Sequence, residues 1–295
     1  MSLIKACLSS AVCLLSLSAT STFAVDTLAK IQRTGTIVIG HRTSSQPISY
    51  VVNGRPMGYA IDICNDVVAE VKKELHLPNL RVVYKATTPT DRIPMLKSGE
   101  LDMECGTSTH SVVRNNDVNF STNYYMAEIR MAVKRSSDIK SVDDLDNRKV
   151  VTTAGVIADK YLKRTVRGHD LNIHKLYGRD HADSFSLLAT GKADAFVGAD
   201  STLAGLIATS GHPQDYKIVG EVLSTDPYAI MMPNNDPKLK ALADRVVTNL
   251  WRSGKMDQLY KKWFLSPIPP HNLAVNMELN KANKQLRARP TDAGN

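Results

Sequence analysis

Short apolar runs of strand character alternate with helix-patterned segments along most of this chain. That rhythm restricts it to an α/β architecture with mostly parallel sheets. Strand runs at 37–40, 80–86 and 101–105 are separated by helical patterns at about 60–75 and 92–97. The rhythm returns at 150–152, 173–177 and 195–197, with helices expected over 157–167, 183–190 and from about 201. Asn53-Gly54 between two short strand runs marks a hairpin. Apolar strands at 129–134 and 228–232 flank the second set and suit crossings between two lobes. Helices over 236–252 and 255–264 carry Leu239, Leu242, Val246, Leu250, Leu259 and Trp263 at helical spacing, and Pro267-Ile268-Pro269-Pro270 ends them. The expected division is lobe 1 over 25–132 and 227–279, an inserted lobe 2 over 133–226, and a polar, solvated tail over 280–295.

Residues 1–24 read as a secretory signal peptide: Lys5, a short apolar core at 11–17, and Thr22-Phe23-Ala24 at the cleavage positions. The run is too short and serine-rich for a spanning helix, which needs ~20 apolar residues. Removing 24 of 295 residues leaves 271, more than one domain usually holds. Removing Lys5 takes the formal net charge from +8 to +7. That charge would attract an acidic ligand, but no arginine-rich arm or aromatic platform supports nucleic-acid binding. Cys64 and Cys105 remain after signal removal. An oxidising compartment permits a disulfide between them, and two buried thiols fit equally well.

The chemistry-bearing residues gather at strand ends. Arg42 follows an apolar strand directly, at the carboxyl edge where open α/β sheets place ligands. Arg92 starts a helix after Thr87-Thr88-Pro89-Thr90. Thr107-Ser108-Thr109 follows another strand and precedes Arg114, and His181 stands in Asp180-His181-Ala182-Asp183-Ser184. A guanidinium binds carboxylate bidentately and stays charged when desolvated. Three arginines with hydroxyls at successive strand ends therefore point to an anion pocket. No nucleophile elbow, zinc helix, phosphate-binding glycine loop or dinucleotide fingerprint is present. No cofactor or metal is expected, and the carboxylates are too dispersed to nominate an acid/base pair.

Together these segments resemble the periplasmic solute-binding proteins of polar amino acid ABC importers, nearest the glutamate/aspartate-binding branch. The resemblance covers nearly all of the mature chain. It rests on Gly40-His41-Arg42, Asp91-Arg92-Ile93-Pro94, Glu104-Cys105-Gly106-Thr107-Ser108-Thr109, Asp180-His181-Ala182-Asp183-Ser184-Phe185 and Lys262-Trp263-Phe264. It implies a type II fold of two α/β lobes joined by two crossing strands, closing over a ligand and delivering it to membrane permease subunits. By the same resemblance Arg114 clamps an α-carboxylate with the Thr109 hydroxyl, Thr107 bears on the α-amino group, and Arg42, Arg92 and His181 hold the distal carboxylate. A periplasmic, monomeric, non-enzymatic receptor is the expectation.

The departures fall in the site itself. Ala199 stands where the family usually has an aspartate for the ligand ammonium, with Asp200 one step later. Gly155-Val156-Ile157 replaces a Gly-Thr-Thr start, Pro89 a serine, and Thr107 a serine. Burying an ammonium without a partner is costly. Either Asp200 substitutes, or the ligand is a dicarboxylate without an α-amino group. Competing readings are a periplasmic dehydratase-like enzyme, for which Glu104 is the nearest acid, and a sensory ligand-binding module.

Overall fold

The computed structural model describes residues 26–295; the signal-peptide reading lies outside them. Helix α1 (Thr27–Thr34) leads into β1 (Thr36–His41), the three-stranded hairpin sheet β2 (Ser44–Ser45), β3 (Ser49–Val52) and β4 (Arg55–Met57), then α2 (Tyr59–Glu74). β5 (Arg81–Ala86), α3 (Arg92–Lys97), β6 (Met103–Cys105) and β7 (Val118–Phe120) follow, and β8 (Tyr125–Lys134) leaves for the second unit. That unit holds β9 (Lys149–Thr153), α4 (Ile157–Gly168), β10 (His174–Gly178), α5 (His181–Ala189), β11 (Ala195–Ala199) and α6 (Asp200–Ala208). β12 (Tyr216–Tyr228) returns to β13 (Met231–Pro233), α7 (Pro237–Arg252) and α8 (Lys255–Tyr260). One π turn (Lys261–Leu265), the hairpin β14 (Pro267–Ile268) and β15 (Leu273–Ala274), and α9 (Lys281–Ala288) complete the chain.

Two five-stranded sheets carry the two lobes, with orders β5-β1-β6-β13-β7 and β10-β9-β11-β8-β12. In the first, β1 runs parallel to β5 and β6; in the second, β9 runs parallel to β10 and β11. β8 and β12 form one long antiparallel ribbon from Tyr216↔Lys134 to Tyr228↔Tyr125, its register shifting between Val219 and Ser224. This ribbon crosses between the lobes, and its length explains why the return strand is already formed well before 228. The lobes are closed on each other: the Ala182 N–H donates to Ser44 Oγ at 3.3 Å, and a Cβ on Gly205 would lie 2.0 Å from the Gln46 carbonyl.

Helix α2 forms because Ala60, Ile63, Cys64, Val67, Val68 and Val71 recur at helical spacing and are buried against the first sheet. That packing sets the distance between helix and sheet, and Cys64 on α2 is joined to Cys105 on β6 by a disulfide with its Cα atoms 6.3 Å apart. α7 starts at Asp236, whose carboxylate accepts from Leu239 N–H at 3.1 Å and from Thr27 N–H at 2.9 Å, so one side chain caps α7 and anchors the start of α1. The expected solvated tail is instead docked. Asn280 caps α9 through the Asn283 N–H, the Asn283 amide bonds both main-chain groups of Met126 at 2.8 Å, and Leu286 is buried. Beyond α9 the chain lies along 109–123, where Thr291 accepts from Asn123 N–H and Asn295 from Val112 N–H.

The disulfide spans a sequence separation of 41 residues. Loop closure of that length should contribute about 4 kcal/mol to stability. The double variant Cys64→Ala/Cys105→Ala, compared with wild type by urea denaturation, should lose stability of that order; an unchanged midpoint would show that the crosslink does not constrain the unfolded chain.

Candidate functional site

Arg42, Arg92 and His181 are buried, Arg114 is partly exposed, and the four are brought together where the lobes meet. Arg42 follows the end of β1, is 1% exposed, and has its N–H tied to Ser49 Oγ at 3.0 Å. Arg92 opens α3, is 1% exposed, and donates through Nη1 to the Thr107 carbonyl at 3.3 Å. Arg114 opens a 3-10 turn and donates through Nη1 to the Thr109 carbonyl at 3.0 Å. His181 opens α5, whose N-terminus is capped by the Asp180 side chain. His181 Nδ1 lies 2.9 Å from Thr153 Oγ1, which lies 2.7 Å from Ser184 Oγ.

The electrostatics tie these groups into one cluster. Burial pushes Arg42 down to about 10, and the Arg92 charge adds to the effect. Burial likewise pushes Arg114 to about 10, again with Arg92 as the main charged contributor. Burial, then Arg42, then Arg92 hold His181 well below its ordinary 6.5, so it is neutral. Nε and Nη1 of Arg42 and Nε of Arg92 are buried and meet no acceptor in the protein. An unpaired buried cation costs several kcal/mol, so the cluster is built to accept anionic oxygens.

The loop bearing Thr107 and Thr109 is pinned from below. Glu104, fully buried on β6, accepts from the Ser108 hydroxyl at 2.5 Å, and the Tyr124 hydroxyl donates to the Gly106 carbonyl. Glycine is required at 106, since a Cβ there would lie 2.4 Å from Glu104 Oε1 and 2.6 Å from Arg42 Cγ. Thr109 bridges to Tyr228 on the crossing ribbon. Glu104 thus shapes the loop through Oε2, while its Oε1 is buried without a partner.

Asp200 is not brought to this cluster. Its Oδ1 accepts from Ser201 N–H at 2.7 Å and from the Tyr125 hydroxyl at 3.4 Å, and it lines a separate cavity with Glu128 and Met277. Ala199, at the end of β11, is buried. The residues that sequence reasoning missed are Asp226, Thr153 and Ser184. Asp226 is buried on the ribbon, its carboxyl raised by burial and lowered in part by Arg114, and it accepts from Tyr161 and Ser224 hydroxyls at 3.1 Å. Thr153 ends β9, so the strand-end rule that found Thr107 could have found it. Among the described residues no group of three or more His, Cys, Asp or Glu is placed to hold a metal ion.

Residues 37–266 match the family described as bacterial extracellular solute-binding proteins, family 3. The chain is 38% identical over 268 residues to the L-glutamate/L-aspartate-binding protein of Pseudomonas aeruginosa, covering 90% of this chain and 89% of that one. It is also 38% identical over 267 residues to the glutamate/aspartate import solute-binding protein of Escherichia coli, covering 90% and 88%. Among solved structures, the ArgBP of T. maritima is similar with a TM-score of 0.70 and 25% identity, over 80% of this chain and 98% of that one. The cysteine-binding protein of Campylobacter jejuni, with a TM-score of 0.72 and 23% identity over 86% and 97%, shares the fold.

Because His181 is neutral when folded, while the unfolded chain takes up a proton below its ordinary 6.5, the unfolded state binds more protons at low pH. Stability should therefore fall as pH drops below about 6.5, by up to about 1.4 kcal/mol per pH unit from this residue. Urea denaturation from pH about 7.5 to about 5 should show a shallower loss in His181→Gln than in wild type. Equal slopes would mean that His181 charges in the folded protein.

Proposed function

This chain belongs to the bacterial extracellular solute-binding proteins of family 3, and we propose that it captures glutamate or aspartate between its two lobes for the permease of an ABC importer in the periplasm. The observation that carries this reading is the burial of Arg42 and Arg92 with guanidinium N–H groups that have no protein acceptor, and the placement of Arg114 within reach of the Arg92 charge. Carboxylates are the acceptors that fit such forks. Arg114, with Thr109 beside it, takes one carboxylate, and Arg42 and Arg92, with His181 offering a neutral nitrogen, take the other. Thr107 supplies a hydroxyl between them. The relatives' names support the same ligand class.

Binding rather than turnover is supported by the acids nearest the cluster. Glu104 holds the loop through Ser108 and Asp226 is engaged by Tyr161 and Ser224, which gives both acids a structural role. A second reading has one specific observation behind it. Ala199 offers no charge and the Asp200 carboxylate faces another cavity, so a dicarboxylate without an α-amino group would leave no ammonium unpaired.

Calorimetry with glutamate, aspartate and succinate tests both readings. Arg114→Ala should weaken glutamate binding by roughly 3–5 kcal/mol, the cost of leaving a buried carboxylate unpaired, while the fold is retained. Near-normal affinity in that variant would remove Arg114 from the site. Succinate bound more tightly than either amino acid would favour the second reading.

The β8–β12 ribbon is the natural hinge, because it is the strand pair that crosses between the sheets and its register breaks near Val219 and Ser224. Closure should exclude water and shrink the molecule. Small-angle scattering should show a smaller radius of gyration with saturating glutamate, and an unchanged radius would argue against a closing hinge.

A further inference from the structure

A cavity of about 650 Å3 lies between the crossing strand β8, helix α6 and the segment 273–280, and its lining shares no residue with the arginine cluster. Tyr228 is under the charges of Asp200, Asp226, Arg92 and Arg114. A volume of this size is in the range that holds a small organic ligand.

Asp200 and Glu128 are neighbours in the lining. Asp200 is 4% exposed, and its Oδ2 is buried with no donor in the protein. Among the described residues neither carboxylate is in an ion pair, although three basic side chains stand on the same walls. Those bases are turned to main-chain carbonyls: Arg130 to Gly220 at 2.7 Å, Arg135 to Gln214 and Tyr216 at 2.5 and 2.9 Å, and Lys217 to Ser137 at 2.9 Å. Arg135 and Lys217 are thus engaged and Arg130 keeps only Nε without an acceptor, while Asp200 is held at Oδ1 and keeps Oδ2 without a donor. The remaining walls are largely aliphatic, with Ile207, Ile218, Leu273 and Val275.

We propose that this cavity is a second binding site, for an organic ammonium with an aliphatic body. Its ammonium lies between Asp200 Oδ2 and the Glu128 carboxylate, and its chain runs along Ile207, Ile218 and Val275. A charged hydrogen bond to a buried carboxylate gives the polar end its direction, and the apolar walls give area. Burial, with Glu128 adding to it, raises the Asp200 carboxyl to about 7. A cation placed there reverses that effect, so binding near neutral pH releases a proton. The site is independent of the acidic-ligand cleft, and glutamate titrated into the same samples reads the cleft separately.

The test is calorimetry of hexylamine against the intact protein at pH about 7, in two buffers of different ionisation enthalpy. Hexanol and hexanoate serve as controls. Saturable hexylamine binding with proton release is expected, with neither control matching it. Glu128→Gln should weaken it about tenfold or more, which corresponds to the loss of one charged contact. Ala204→Trp, which fills the cavity from α6, should abolish it. Glutamate affinity should be unchanged in Glu128→Gln. No saturable binding of hexylamine to wild type, equal binding of hexanol, or full retention in both variants would overturn the proposal. Lost glutamate binding with intact hexylamine binding would instead count against the transport reading alone.

Discussion

The guanidiniums of buried Arg42 and partly exposed Arg114 both lie within reach of the buried Arg92 charge, and among the described residues no carboxylate forms an ion pair with any of the three. This arrangement costs folding energy, because each buried cation loses its water and the cations repel. It persists because the rest of the structure fixes it. Arg92 and Arg114 each use one nitrogen on a carbonyl of the 107–109 loop, and that loop is held by Glu104, Tyr124 and the bridge from Thr109 to Tyr228. Nε and Nη1 of Arg42 and Nε of Arg92 are left without acceptors, and a ligand that supplied oxygens there would offset the cost of their burial.

The disulfide and the crossing ribbon act on this same cluster from two sides. Cys105 ends β6, immediately before the Gly106 turn, so tying it to Cys64 on α2 fixes the root of the loop. The ribbon of β8 and β12 carries Tyr228 and Asp226 past Arg114 and continues into the second sheet. α5 closes the site from the other lobe, with His181 neutral beside Arg42 and Arg92, so it adds a hydrogen-bonding nitrogen without a fourth positive charge.

Much of this was legible in the sequence because strand ends are legible. The apolar runs before Arg42 and Thr107 place those side chains at the carboxyl edge of a parallel sheet, and helix starts place Arg92 and His181. The pairing of Cys64 with Cys105 was open because it depends on how closely α2 packs on the sheet, which periodicity does not report. Where the Asp200 carboxylate faces was open for a related reason, since Asp200 starts α6 and its Oδ1 is taken by the Ser201 N–H and the Tyr125 hydroxyl. The docked tail was missed because its helix is polar almost throughout, and its attachment uses hydrogen bonds that periodicity does not report, Asn283 bonding both main-chain groups of Met126 among them. Asp226 escaped notice because its meaning arises only where the ribbon passes Arg114.

The central claim is that the buried arginines read the charge of a distal carboxylate. Glutamine has the shape of glutamate and lacks that charge, so the pair isolates the effect. Parallel calorimetric titrations of both ligands at physiological salt measure it directly. Glutamate should bind at least about a hundredfold more tightly than glutamine, since a charge-assisted contact to buried guanidiniums is worth roughly 3 kcal/mol or more. Comparable affinities would contradict the claim and show that Arg42 and Arg92 are a structural feature rather than the means of recognising a distal charge.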